Sequence, residues 1–124
     1  MRIAITSKGD SLESGLDPRF GRCQYFIIVD SDDLQNFKAL SNDAVSSGGG
    51  AGIKAAQTVI NEGVEAVISG NFGPNAFDAL YSGGVKLYTA DVATVKDAVD
   101  ALGSGKARLL ESASAAAHAG LREI

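Results

Sequence analysis

The feature that most constrains the fold is a change of hydrophobic period at Gly52. Before it, apolar residues fall in short runs that suit strands. Arg2 to Thr6 alternates and is rich in β-branched residues, and Tyr25 to Val29 is a continuous apolar run ending at Asp30. Asn36 to Leu40 is a weaker alternating segment beyond the polar turn Asp30-Ser31-Asp32-Asp33. After the change, Ile53, Ala56, Val59 and Ile60 share one helical face, and Asn61-Glu62-Gly63 supplies a stop. Ala66-Val67-Ile68 then reads as a buried strand. Pro74 suits a first helical turn, with Ala76, Phe77 and Leu80 on one side and Gly83-Gly84 at the end. Val85 to Thr89 reads as the last strand, and Asp91 or Thr94 caps a final helix through Val95, Val99 and Leu102. The predicted order is β-β-β-α-β-α-β-α. Its short early connections suit antiparallel strands, and each later crossover helix leads to a parallel pairing. The first strand is expected in the middle of this mixed α/β sheet.

A chain of 124 residues is long enough for one core and too short for two. The domain is expected over residues 1–105, because the chain after Gly105 turns Ala/Ser-rich and reads as a mobile or partly helical tail, 106–124. The sole histidine, His118, falls in that tail and reads as solvated. No apolar run approaches the roughly 20 residues of a membrane span, and the apolar start is too short for a secretory signal, so a cytoplasmic protein with no membrane partner is expected. The formal charge of −4 disfavours the broad basic footprint that nucleic acid requires, while leaving room for a small local basic site. The single cysteine, Cys23, excludes an internal disulfide and any site needing several thiolates from one chain.

Fifteen glycines are concentrated in loops, which is where ligand sites usually lie. Three segments qualify. Asp17-Pro18-Arg19-Phe20-Gly21-Arg22-Cys23 places two guanidinium groups beside a thiol, and nearby positive charge lowers a thiol's pKa and favours the metal-binding thiolate. The bland alternative is that Phe20 and Cys23 are core and the arginines solvated. Ser46 to Lys54, with Gly49, Gly50 and Gly52, precedes the first helix, where converging N–H groups suit an anion; a plain glycine linker explains the same residues. It lacks the Gly-Lys-Ser/Thr of a phosphate loop. Ser69 to Ala76, with Asn71, Gly73 and Asn75, lies at the carboxyl end of a strand, the edge at which open α/β sheets bind ligands, although a tight turn needs the same small residues. No Ser/His/Asp or Cys/His arrangement for catalysis is visible.

In order and spacing, Arg19-Phe20-Gly21-Arg22-Cys23-Gln24-Tyr25-Phe26, Gly50-Ala51-Gly52-Ile53-Lys54-Ala55-Ala56, Gly70-Asn71-Phe72-Gly73-Pro74-Asn75-Ala76 and Gly84-Val85-Lys86-Leu87-Tyr88 resemble the dinitrogenase iron-molybdenum cofactor biosynthesis family over residues 1–105. The resemblance implies a ribonuclease H-like three-layer fold with a mixed five-stranded sheet, and non-enzymatic binding, carriage or insertion of iron-molybdenum cofactor, its precursor or a related iron-sulfur/molybdenum cluster. It also implies cluster donor and acceptor proteins as partners for a monomer or weak homodimer. Members active in nitrogenase assembly often carry histidine after the Phe-Gly pair; here Arg22 stands there, followed by Cys23. The expected site therefore has Cys23 as metal ligand, Arg19 and Arg22 offsetting cluster charge, and Gly49, Gly50, Gly52, Asn71, Gly73 and Asn75 around the cofactor. The alternative is a metal-free regulatory or protein-interaction module.

Overall fold

The computed structural model describes residues 1–43 and 50–112. Its strands are β1 (Arg2–Ser7), β2 (Tyr25–Asp30), β3 (Asp33–Ser41), β4 (Ala66–Ser69), β5 (Lys86–Thr89) and β6 (Arg108–Leu109). Its helices are α1 (Ala51–Asn61), α2 (Pro74–Ser82) and α3 (Val95–Gly103). The strands form one mixed sheet in the order β3-β2-β1-β4-β5-β6. β1 pairs antiparallel with β2 and parallel with β4, and β4 pairs parallel with β5, so β1 lies inside the sheet as its apolar sequence requires.

Alternation along each strand sorts side chains to two faces. Ala4, Phe26, Ile28, Val67 and Leu87 pack with α1 and α2 through Ala55, Ala56, Val59, Phe77 and Leu80. Ile3, Ile5, Ile27, Val29 and Ile68 pack on the other side with Val95, Ala98 and Val99 of α3. The result is three layers. Phe20 is 2% exposed in the first core, its ring centroid 5.4 Å from those of both Phe26 and Phe72.

Two expectations are corrected. The sheet has six strands, not five: the segment from residue 106, read as a tail, opens with β6, which pairs antiparallel through Tyr88 with Leu109 and Thr89 with Arg108. A two-residue strand leaves no periodic signal in the sequence. The buried face of α1 is Ala51, Ala55, Ala56 and Val59, while Ile53 is 41% exposed. Small residues turn inward because α1 crosses close to its neighbours: a Cβ on Gly52 would lie 3.3 Å from the Ala76 Cβ, and one on Gly21 would lie 3.2 Å from the Gly52 Cα. The signals for the other helices hold. Pro74 opens α2, and the Thr94 hydroxyl accepts the Asp97 N–H at 3.1 Å to cap α3.

The strand directions collect several loops at one edge. Ser7 pairs with Tyr25 and Tyr25 with Ser41, so β1 and β3 end together, and β4 and β5 end there as well. Each of the helices that follows β3, β4 and β5 therefore starts at this carboxyl edge, and β6 enters the sheet from it. Toward the other edge, Glu62 gathers Lys38 at 2.7 Å and Arg2 at 3.2 Å, and these contacts, the Lys38 hydrogen bond foremost, hold its carboxyl below the usual range.

Candidate anion-binding cleft

After β1 the chain leaves at Lys8 and returns through Gly15 to Asp17, whose N–H donates to the Thr6 carbonyl at 3.0 Å; the Leu16 N–H donates to the Ala93 carbonyl at 3.0 Å. The buried Thr6 hydroxyl donates to the Asp17 carbonyl and lies 3.0 Å from the Ser69 hydroxyl, so the ends of β1 and β4 hold this return segment in place. The Asn71 N–H then donates to the Pro18 carbonyl at 2.8 Å, joining the loop after β4 to the same segment.

That junction requires glycine at position 70. A Cβ there would stand 2.7 Å from both the Cα and the Cβ of Pro18 and 3.0 Å from its carbonyl oxygen. Two backbones are in contact, and neither clashing group is a flexible side-chain end. Gly70→Ala should cost about 1–3 kcal/mol in a urea titration, the usual range for overpacking. It should also shift the amide resonances of Pro18's neighbours and Asn71; a variant of wild-type stability and unshifted spectrum would show that the two loops are not in contact.

Between these loops and the ends of β5 and β6 lies a cleft of ≈ 710 Å³, bordered by Lys8, Pro18, Gly70, Asn71, Asp91, Lys106 and Arg108, among others. Three cations face one carboxylate, in a chain whose net charge is −4. Among the described residues, Lys8, Lys106 and Arg108 make no ion pair, whereas Arg2, Arg19, Lys38 and Lys96 do. Gathering unpaired cations costs electrostatic energy and focuses a positive field suited to an anion. Arg and Lys N–H groups then supply charge-assisted hydrogen bonds to its surface.

Of the described candidates from the sequence, Asn71 lines this cleft. Cys23 does not reach it. Its side chain is fully buried, with the thiol donating to the Phe20 carbonyl at 3.3 Å, and burial first, then the Asp17 charge, pushes its pKa up to about 12. The expected thiolate ligand does not fit a protonated core thiol, and the arginines meant to activate it are engaged elsewhere or turned out. The Arg19 Nε and backbone N–H both donate to the Asp17 carboxylate, at 3.3 and 3.0 Å, and Arg22 is exposed. Gly50, at φ 82°, caps α1, Gly52 is a helix-crossing contact, Gly73 caps α2 and Asn75 is exposed in its first turn. Gly49 and His118 lie outside the described residues. Among the described residues no group of three or more His, Cys, Asp or Glu side chains is placed to hold a metal ion.

Sequence reasoning missed Lys8, Asp91, Lys106 and Arg108. For Lys106 and Arg108 the alternation Lys106-Ala107-Arg108 directly after Gly105 is the available signal; Lys8 and Asp91 carry none.

The sequence model of a family described as dinitrogenase iron-molybdenum cofactor matches residues 1–105. The apo form of the orange protein from Desulfovibrio gigas superposes with a TM-score of 0.87 at 33% identity, over 91% of this chain and 95% of that one. A NifB-like protein of the DUF35 family from Thermotoga gives 0.80 at 37% identity, over 91% and 96%. The uncharacterized protein MJ0580 of Methanocaldococcus jannaschii is 31% identical over 113 residues, 90% of this chain and 92% of its own length. No helix among the described residues is long and apolar enough to cross a membrane.

Proposed function

Because the chain belongs to the dinitrogenase iron-molybdenum cofactor family, we propose that its carboxyl-edge cleft binds an anionic metal–sulfur cluster as cargo and that the protein carries it to an acceptor without catalysing a reaction. The cargo is iron-molybdenum cofactor, its precursor or a related iron-sulfur or molybdenum species, received from a donor protein in the cytoplasm. The observation that carries this reading is the trio Lys8, Lys106 and Arg108 around one cleft, none of them ion-paired among the described residues. A cluster surface is a layer of sulfides, which accept hydrogen bonds and bear the negative charge that this trio complements. With Cys23 sealed in the core, the cluster keeps its own inorganic ligands and no protein–metal bond has to break on delivery.

The strand order β3-β2-β1-β4-β5, to which β6 is added, supports the ribonuclease H-like assignment. Nucleases of that architecture hold two magnesium ions with clustered acids on central strands. Here β1 (RIAITS) and β4 (AVIS) carry no carboxylate, which supports cargo binding over phosphodiester chemistry.

Anaerobic reconstitution with iron, sulfide and molybdate, followed by desalting, metal analysis and visible absorption, tests the reading. Wild type and Cys23→Ala should both retain metal and colour. Lys8→Gln should retain several-fold less, and raised salt should release the cargo, because screening weakens an electrostatic site. A colourless wild type would favour the metal-free interaction module. Loss confined to a folded Cys23→Ala would reinstate thiolate ligation.

A further inference from the structure

Two of the cleft's three cations stand on β6 and its approach, just past the residues matched by the family, and this segment is held in an unusual way. At its root, Gly105 takes φ 79°, and the N–H groups of Lys106 and Ala107 both donate to the Ala101 carbonyl, at 2.8 and 3.1 Å. At its tip, the Leu110 N–H donates to the Leu87 carbonyl at 2.8 Å and the Leu110 side chain packs, partly buried, against the core. Between these anchors the strand is two residues long, and both Arg108 and Leu109 are exposed at the edge of the sheet.

So short an edge ladder belongs to the low-stability end of a fold. Its charges also oppose its docking. Closing it brings Lys106 and Arg108 to the same cleft as Lys8, with Asp91 the one carboxylate among the described lining residues. An anion placed among the three reverses the sign of that interaction, since each cation is then drawn toward a shared charge.

We infer that Gly105–Leu110 is a clasp that the cargo itself closes: Lys106 and Arg108 bind the anionic cluster from the β6 side, and its charge docks β6 on β5. This rests on the cleft being the cargo site. Linkage makes the coupling reciprocal, so that cargo stabilises the docked strand and the docked strand slows loss of cargo. An acceptor protein that peels β6 from the edge would lower the cleft's affinity without touching the cluster.

The test compares amide hydrogen exchange at Leu110 in cargo-free protein and in protein reconstituted with iron, sulfide and molybdate, for wild type and the double variant Lys106→Gln/Arg108→Gln. Loaded wild type should exchange at Leu110 about tenfold more slowly than cargo-free wild type, within the usual range of such coupling. The variant should retain about tenfold less metal after desalting, yet its cargo-free Leu110 should exchange more slowly than that of cargo-free wild type, because repulsion across the cleft is relieved. A merely structural role for the two side chains would not produce that opposite pair of changes. Loaded wild type with unchanged Leu110 exchange, or a variant that retains cargo fully, overturns the clasp and leaves the cargo reading standing. A wild type that binds no metal at all overturns both.

Discussion

Phe20→Ala is expected to lower the free energy of unfolding by about 3–5 kcal/mol, the range for removing a large aromatic side chain from a core. The ring is buried against Phe26 of β2 and Phe72 of the loop after β4. It also fixes the single helical turn Phe20–Arg22, whose carbonyl at Phe20 accepts the Cys23 thiol. The lost ring therefore leaves a cavity where two connections at the carboxyl edge meet β2, and the surroundings can collapse little because Phe26 is fixed in the sheet and Phe72 follows β4 directly. Urea denaturation gives the value directly, with the unfolding midpoint falling at a near-constant slope. Arg22→Ala on the same turn serves as the control. Its side chain is exposed, and the change should stay within about 0.5 kcal/mol. A small effect at Phe20 would mean that the turn is not packed on the aromatic cluster.

The second large effect concerns alkaline pH. The Cys23 thiol has an ordinary value of 9.0 that burial, then the charge of Asp17, pushes up to about 12 in the folded chain. A group raised on folding stabilises fully below its unfolded value. Above that value the unfolded chain releases a proton that the native chain keeps, so stability drains by about 1.4 kcal/mol per pH unit between 9.0 and about 12. Cys23→Ala should remove that share of the alkaline slope while lowering stability at neutral pH by the cost of the lost packing. The quantity to compare is the difference in slope between the two proteins, since lysines and tyrosines titrate in both. Equal slopes would place the thiol in contact with water. The native thiol should, on the same grounds, react with a thiol reagent only as fast as the chain opens.

What was legible in the sequence was what depends on local pattern. The shift of period at Gly52, the proline that opens α2 and the threonine that caps α3 each act through neighbours a few residues away, and each is where the pattern puts it. The central place of β1 is where it was expected, and Ile3, Ala4 and Ile5 are all buried there, on two covered faces. Pattern failed where long-range contact decides. Ile53 is turned outward because Gly52 lets α1 approach Ala76, a partner no window around position 53 contains. Cys23 has arginines beside it in sequence, yet in the fold burial first and then the Asp17 charge push its pKa up, the opposite of the shift those arginines suggest. The cleft itself assembles Lys8 from the first strand's exit and Arg108 from the last strand, and no spacing rule joins residues from opposite ends of a fold.

The sealing of Cys23 also sets how the chain meets oxygen. Its only thiol lies where neither peroxide nor a second chain can touch it, with its proton retained well past physiological pH. The thiolate is the form that oxidises and exchanges. The folded polypeptide therefore neither cross-links to a copy of itself through Cys23 nor consumes oxidising equivalents at its thiol, which leaves the exposed Met1 thioether as the sulfur that an oxidant reaches.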